Sequence, residues 1–187
     1  MGRRRTRSNH VCPPTPLHQG ELDGLCGIYA VINALRTLCP EMPRELCDEL
    51  FALQLAAVSD DRSSPLDVVT NGIGKTTLRG LIGLSCDEMF LRSKVTLHCR
   101  SLLLKRNAPL DAIWSEVERL VAGGGVVIAG LSGRYDHWTV VRKATPRRLT
   151  LVDSSMLQIL DRRFCTTAWS NTHYRLRADE MYVLFRA

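Results

Sequence analysis

Gln19 and Cys26 stand seven positions apart, and Cys26 opens the apolar run Cys26-Gly-Ile-Tyr-Ala-Val-Ile-Asn-Ala-Leu35, with Gly20 and Gly24 leading into it. A thiol in the first turn of a helix has what a nucleophile needs. Unpaired backbone N–H groups and the positive end of the helix dipole favour thiolate over thiol. The same N–H groups, joined by a carboxamide such as that of Gln19, can hold the oxygen that turns negative when a carbonyl carbon becomes tetrahedral. Taken alone, a cysteine on an apolar helix is better read as core. The nucleophile reading therefore requires a base, and a group that orients the base, elsewhere in the chain.

Residues 126–153 supply both. The segment is β-branched and apolar, broken by turn signals at Gly130 to Gly133 and at Thr145-Pro146, and reads as three successive strands. A hairpin centred near Thr145 pairs positions whose numbers sum to about 290, which places His137 directly opposite Asp153. Opposed side chains on an antiparallel pair have Cβ atoms about 4.5–5.5 Å apart, so a carboxylate can hold an imidazole N–H there. One extra turn residue or a bulge would turn one of the two to the other face.

Gln19, Cys26, His137 and Asp153, in that order, with Trp138 directly after the histidine and Val152-Asp153 ending the next strand, resemble the papain-like cysteine peptidases. Within that superfamily the pattern is most similar to the bacteriocin-processing, double-glycine peptidases and related bacterial effector and toxin peptidases. The shared marks are the Asp23-Gly-Leu-Cys-Gly27 approach, the His137-Trp138 step and the gap of sixteen from His137 to Asp153. Gln19 stands one residue further from the cysteine than is usual in that group.

The resemblance implies that Cys26 is the nucleophile, His137 the general base and later acid, and Asp153 the orienter of the ring. It further implies an oxyanion hole from Gln19 and the Cys26 N–H, with Gly24 and Trp138 beside the substrate cleft. The implied reaction is hydrolysis of a peptide bond through a thioester, with no cofactor and no metal, and the similarity to the double-glycine group implies a cut after a Gly-Gly pair. Two other classes stay open: a same-triad acyl-transfer enzyme (a deubiquitinase-like hydrolase, a glutamine deamidase or a transglutaminase), and a non-catalytic binding module.

Composition sets the remaining bounds. The 187 residues, 45% of them hydrophobic, fit one domain at 18–187 behind a basic, Pro-containing tail at 1–17 that holds Arg3-Arg-Arg-Thr-Arg7 and Pro13-Pro-Thr-Pro16. Seven cysteines, at 12, 26, 39, 47, 86, 99 and 165, form no Cys-x-x-Cys pair, which argues against a disulfide framework or a zinc site and for a reducing, cytoplasmic setting. No apolar run approaches the roughly 18 residues a membrane span needs, and no apolar h-region follows the N-terminal arginines. The expectation is a cytoplasmic protein of the producing or target cell, without a cleavable signal, exported if at all by a specialised secretion system.

The net charge of +6 comes largely from the tail and from the pairs Arg147-Arg148 and Arg162-Arg163. No aromatic residues interleave with these charges as a base-stacking platform would require, so the expected partner is a protein or peptide substrate rather than nucleic acid, and the resemblance to toxin peptidases implies in addition an immunity or inhibitor protein.

The elements that must position these residues can also be read. A first helix runs from Cys26 to Leu38 and stops at Cys39-Pro40. A second begins at Pro43 with Leu46, Leu50, Leu53 and Ala57 on one face. Ser59 to Pro65 reads as a loop. Gly74-Lys-Thr76 suggests a phosphate loop, but Val69 stands where the motif needs glycine, and Thr76 or Thr77 is expected to cap a third helix instead. Val95–Leu104 is a strand or a connection, Asp111–Ala122 a helix ended by Gly123-Gly-Gly125, Leu157–Leu160 a further strand or turn, and Glu180–Phe185 the closing strand. Helices first and an antiparallel sheet last make an α+β fold, the layout a papain-like chain requires. Asn33 is expected to satisfy backbone groups from within the first helix, and Asp136 to face away from His137. Asn171 is a weaker substitute for Asp153, His10 and His18 lie in or beside the tail, and His98 and His173 have no acid partner at hairpin distance.

Overall fold

A computed structural model of the chain describes residues 15–20, 23–60 and 65–187. The basic stretch at 3–7, His10 and Cys12 lie outside the described residues. Among the described residues five helices and seven strands follow in the order α1 (Cys26–Leu38), α2 (Arg44–Asp60), α3 (Pro65–Asn71), α4 (Lys75–Ser93), β1 (Leu97–Ser101), α5 (Leu110–Ala122), β2 (Val126–Gly133), β3 (His137–Ala144), β4 (Arg148–Val152), β5 (Ile159–Asp161), β6 (Cys165–Thr166) and β7 (Tyr174–Arg186), with a short 3-10 turn at Arg162–Phe164. The fold is α+β, as expected.

One sheet runs in the order β1-β7-β2-β3-β4-β5, antiparallel throughout, with β6 added parallel to β7. It divides two cores. On one face α1 packs against Ile128, Val140, Val152 and Tyr182, with α2 and α4 packed on α1 to complete that core; on the other, α5 packs against Val127, Ala129, Val141 and Leu151. A strand covered on both faces has no polar side to alternate, and Val126 to Leu131 is buried at every residue. In α1 the side chains of Ile28, Val31, Ile32 and Leu35 are wholly buried, each worth about 1.5–3 kcal/mol. That burial fixes the helix across the sheet with Cys26 at its first turn.

Several local expectations are corrected. β2 does not break at Gly130 but continues to Gly133, because a glycine lets Trp138 and Glu180 close over it: a Cβ at Gly130 would come within 2.9 Å of the indole and 3.1 Å of Glu180 Cβ. Helix α4 starts one residue before Thr76, with Gly74 at the N-cap in extended conformation and no side-chain cap, so neither threonine caps it. Part of the expected loop before Pro65 is helical, since α2 reaches Asp60, and α3 follows from Pro65. The closing strand is far longer than Glu180–Phe185.

The hairpin register differs too. Val140 pairs with Val152 and Val141 with Leu151, but Lys143 pairs with Thr150, so Arg142 is an extra residue in β3. Continued to the strand ends, this register sets Asp153 opposite Thr139. His137 is its diagonal neighbour on the same face, not its direct partner.

Candidate active site

His137 is the first residue of β3, and Asp153 directly follows β4, so the two meet at one end of the hairpin. His137 Nε2 lies 2.8 Å from Asp153 Oδ2, with both side chains 1% exposed. Burial pushes the Asp153 carboxyl up, but the hydrogen bond and charge of His137, with the Leu157 N–H, hold it below the ordinary carboxylate range. An ionised carboxylate only accepts, so Nε2 donates and carries the proton. The other carboxylate oxygen accepts from the Ser155 N–H at 2.8 Å and the Leu157 N–H at 3.0 Å, and the turn that makes this possible puts Met156 at φ 70°.

For the imidazole, burial acts downward. The hydrogen bond to Asp153 and the neighbouring Cys26 thiol outweigh it and raise the ring from 6.5 to about 9. With Nε2 committed to Asp153, Nδ1 is the nitrogen left to serve Cys26. Tyr135 stacks on the imidazole, ring centres 5.0 Å apart, and holds its plane from the solvent side.

Cys26 is 9% exposed at the start of α1, where Leu25 is the N-cap and no side chain caps the helix. The chain before it is tightly held. Asp23 accepts from the Gly20 N–H at 2.7 Å and the Leu25 N–H at 3.2 Å. Asn33, buried two turns into α1, accepts from the Leu17 N–H at 2.8 Å and donates to the Leu17 carbonyl at 3.0 Å. Thus Leu17, expected within the tail, is bonded to the helix that carries the thiol, as is Thr15 through Arg36.

These contacts set Gln19. Its carboxamide oxygen accepts from the Ser154 hydroxyl at 2.9 Å, and Nε2 donates one hydrogen to the Asp23 carbonyl at 3.2 Å, which leaves the second N–H unassigned.

A cleft of about 460 Å³ opens over Cys26 and His137. One wall is the α3–α4 connection at Gly72, Ile73 and Gly74; Gly130 and Trp138 belong to the sheet side. Trp138 locks the walls together by donating Nε1–H to the Ile73 carbonyl at 2.9 Å. Gly27 lies beneath: a Cβ there would come within 2.5 Å of Ile73. Gly24 supports the cleft from behind, its N–H donating to the Val69 carbonyl at 2.5 Å, and is not among the lining residues. Asp136, expected to face away, lines the cleft because it precedes β3 and is not bound by strand alternation.

At the far rim β7 bulges opposite Gly130 and brings Arg177 and Glu180 to line the cleft. Asp179 takes Lys75 and Arg177 at 2.7 Å and Arg106 at 3.5 Å, which ties the start of α4 to the sheet. Tyr182 adds a hydrogen bond from its hydroxyl to the Lys75 carbonyl at 2.8 Å.

The structure therefore brings Cys26, His137, Trp138 and Asp153 to one place, while Gln19, bonded to Asp23 and Ser154, lines a neighbouring pocket with Tyr135 and Met156 and not the cleft over Cys26. Asn171 lies in the exposed loop between β6 and β7, away from His137. Sequence reasoning missed Tyr135, Ile73 and Ser154, although Ser154 could have been suspected from standing next to Asp153. The other described cysteines are free, and burial pushes the thiols of Cys39, Cys47, Cys86, Cys99 and Cys165 up, Cys86 to about 11 and Cys99 and Cys165 to about 12. Compared with known proteins, the chain matches no family model and no curated sequence.

Proposed function

We propose that this protein is a cysteine peptidase of papain-like fold. The observation that carries the reading is the His137 imidazole, fixed on Nε2 by a buried carboxylate and flanked by the Cys26 thiol at the start of α1, inside a cleft. With its ring raised to about 9, His137 is charged at neutral pH: Nδ1 holds the proton that Cys26 has given up, and the sulfur attacks a peptide carbonyl. The Cys26 N–H and Gln19 Nε2 hold the resulting oxyanion. The tetrahedral intermediate collapses as His137 hands its proton to the leaving amine, leaving a thioester on Cys26. Water, deprotonated by His137, then releases the acid and restores the thiol.

The walls favour a substrate that is slender at the cut. Ile73 and Trp138 are fixed against one another, and glycines at 72, 74 and 130 admit the backbone but add no pocket for a side chain. Cleavage after a Gly-Gly pair fits this shape. Expressing the wild type and Cys26→Ala in cells and mapping protein termini tests the reading: new termini confined to the wild type support it, and identical maps reject it. Substrates gaining about one dalton without being cut would assign the same triad to deamidation instead.

A further inference from the structure

We propose that a second groove, at the opposite end of the β3–β4 hairpin, binds an acidic polypeptide segment that carries apolar side chains between its carboxylates. The groove, about 960 Å³, is lined by Arg147, Arg148, Arg162 and Arg163 over a floor that includes Leu110, Pro146 and Cys165. Along the eight residues of β3, at about 3.3 Å each, it lies roughly 25 Å from His137.

Charge is concentrated here. Arg3, Arg4, Arg5 and Arg7 account for four of the six net positive charges of the chain. Residues 142–163 hold Arg142, Lys143 and the four groove arginines against Asp153 and Asp161 alone, and Asp153 is spent on His137. The rest of the described surface is therefore close to balanced or acidic.

The groove is also rigid before any ligand arrives. The Arg162 N–H donates to the Arg147 carbonyl at 2.9 Å and the Arg162 guanidinium to the Pro146 carbonyl at 3.3 Å, which ties the 3-10 turn to the hairpin loop. Trp114 steadies the loop from below through Nε1–H to the Thr145 carbonyl at 2.8 Å. A loop backbone held in place in this way loses little freedom on binding. Their internal partners leave capacity to spare. Arg148 and Arg163 share Asp161, each at 3.5 Å, Arg162 pairs with Asp111, and the Arg147 guanidinium has no partner among the described residues.

A peptide fits better than a nucleic acid. Arginine forks match carboxylates and phosphates alike. Single strands, however, want open aromatic faces, and both nearby rings are occupied: Arg162 lies over Trp114 and Arg163 over Phe164. The apolar floor gives a peptide's side chains a place that a phosphate chain would not use.

This inference does not depend on the peptidase reading, and its test uses full-length Cys26→Ala, in which turnover is absent. A labelled Glu/Leu peptide, its Gln/Leu counterpart and an oligouridylate of equal charge are titrated by fluorescence anisotropy. The Glu/Leu peptide should bind at least about tenfold more tightly than either of the others. The double variant Arg147→Glu, Arg163→Glu, both on exposed positions, should lose about tenfold, and Arg44→Glu, Arg79→Glu, an equal charge change elsewhere, should lose almost nothing. Arg147→Gln alone, which removes one charge without reversing it, should lose about threefold. Equal losses in the two double variants, no preference for Glu over Gln, or tighter binding of the oligouridylate would overturn the proposal.

Discussion

Ser154 holds Gln19 at two points: its hydroxyl donates to the carboxamide oxygen at 2.9 Å, and its carbonyl accepts from the Gln19 N–H at 3.1 Å. Because Ser154 follows Asp153, one dipeptide steadies both the ring that moves the proton and the carboxamide proposed to meet the oxyanion.

Ser154→Ala frees the carboxamide to rotate and should lower kcat about tenfold with KM little changed. Gln19→Ala should lower it by about 10²–10³. Steady-state kinetics on any peptide the protein cleaves separate the two, and Ser154→Thr, which keeps the hydroxyl, should recover part of the loss. A larger effect from Ser154→Ala than from Gln19→Ala would remove Gln19 from the oxyanion site.

Asp153→Ala leaves a buried imidazole unpaired and the Ser155 and Leu157 N–H groups without their acceptor, and should cost about 3–5 kcal/mol in urea unfolding at neutral pH. The pH dependence follows from the two shifts. His137 is raised from 6.5, so its contribution is complete below pH 6.5 and is lost as pH rises through about 9. Asp153 is lowered from 3.8, so its contribution is complete above pH 3.8 and is lost on further acidification. The gap between wild type and variant should therefore narrow above pH 9, and an unchanged gap there would contradict the ion pair.

Trp138→Phe keeps an aromatic ring in the core but removes the donor to the Ile73 carbonyl. It should cost about 1 kcal/mol and speed amide exchange in residues 72–75, the wall of the cleft. Exchange that rises uniformly across the chain would show that the indole braces the fold and not this wall.

Gly27→Ala drives a methyl group to within 2.5 Å of Ile73. Overpacking of this kind costs about 1–3 kcal/mol. Because the side chain displaced belongs to the wall, KM for a glycine-rich peptide should change more than the unfolding midpoint suggests.

The hairpin shows how far the sequence could be read. Its turn is centred on Pro146-Arg147, between Thr145 and Arg148, and not on Thr145. Carried along a regular ladder, that centre would set Asp153 opposite Val140, on the face away from His137. The bulge at Arg142 shifts the register by one and returns the carboxylate to the face of the imidazole. Two errors cancelled, and residue pattern could not reveal either, because Val140 and Val141 are both buried and neither face is polar. Deleting Arg142 should accordingly separate His137 from Asp153 and abolish activity even if the chain folds.

Helix α1 was legible to the residue, since glycines, a thiol, an apolar face and a following proline all agree on its limits. The cleft walls were not. Ile73 and the β7 bulge reach the site only through tertiary packing, and Gly74-Lys-Thr76 resembled a phosphate loop when its lysine serves Asp179.

Alkylation of Cys26 by iodoacetamide, followed by peptide mass mapping, tests the partnership of thiol and imidazole without any substrate. Cys26, though buried, should react far faster at neutral pH than the exposed Cys99 or any other described cysteine, and His137→Ala should remove that advantage. A Cys26 that reacts no faster than Cys99, or equally fast with and without the imidazole, would contradict the account.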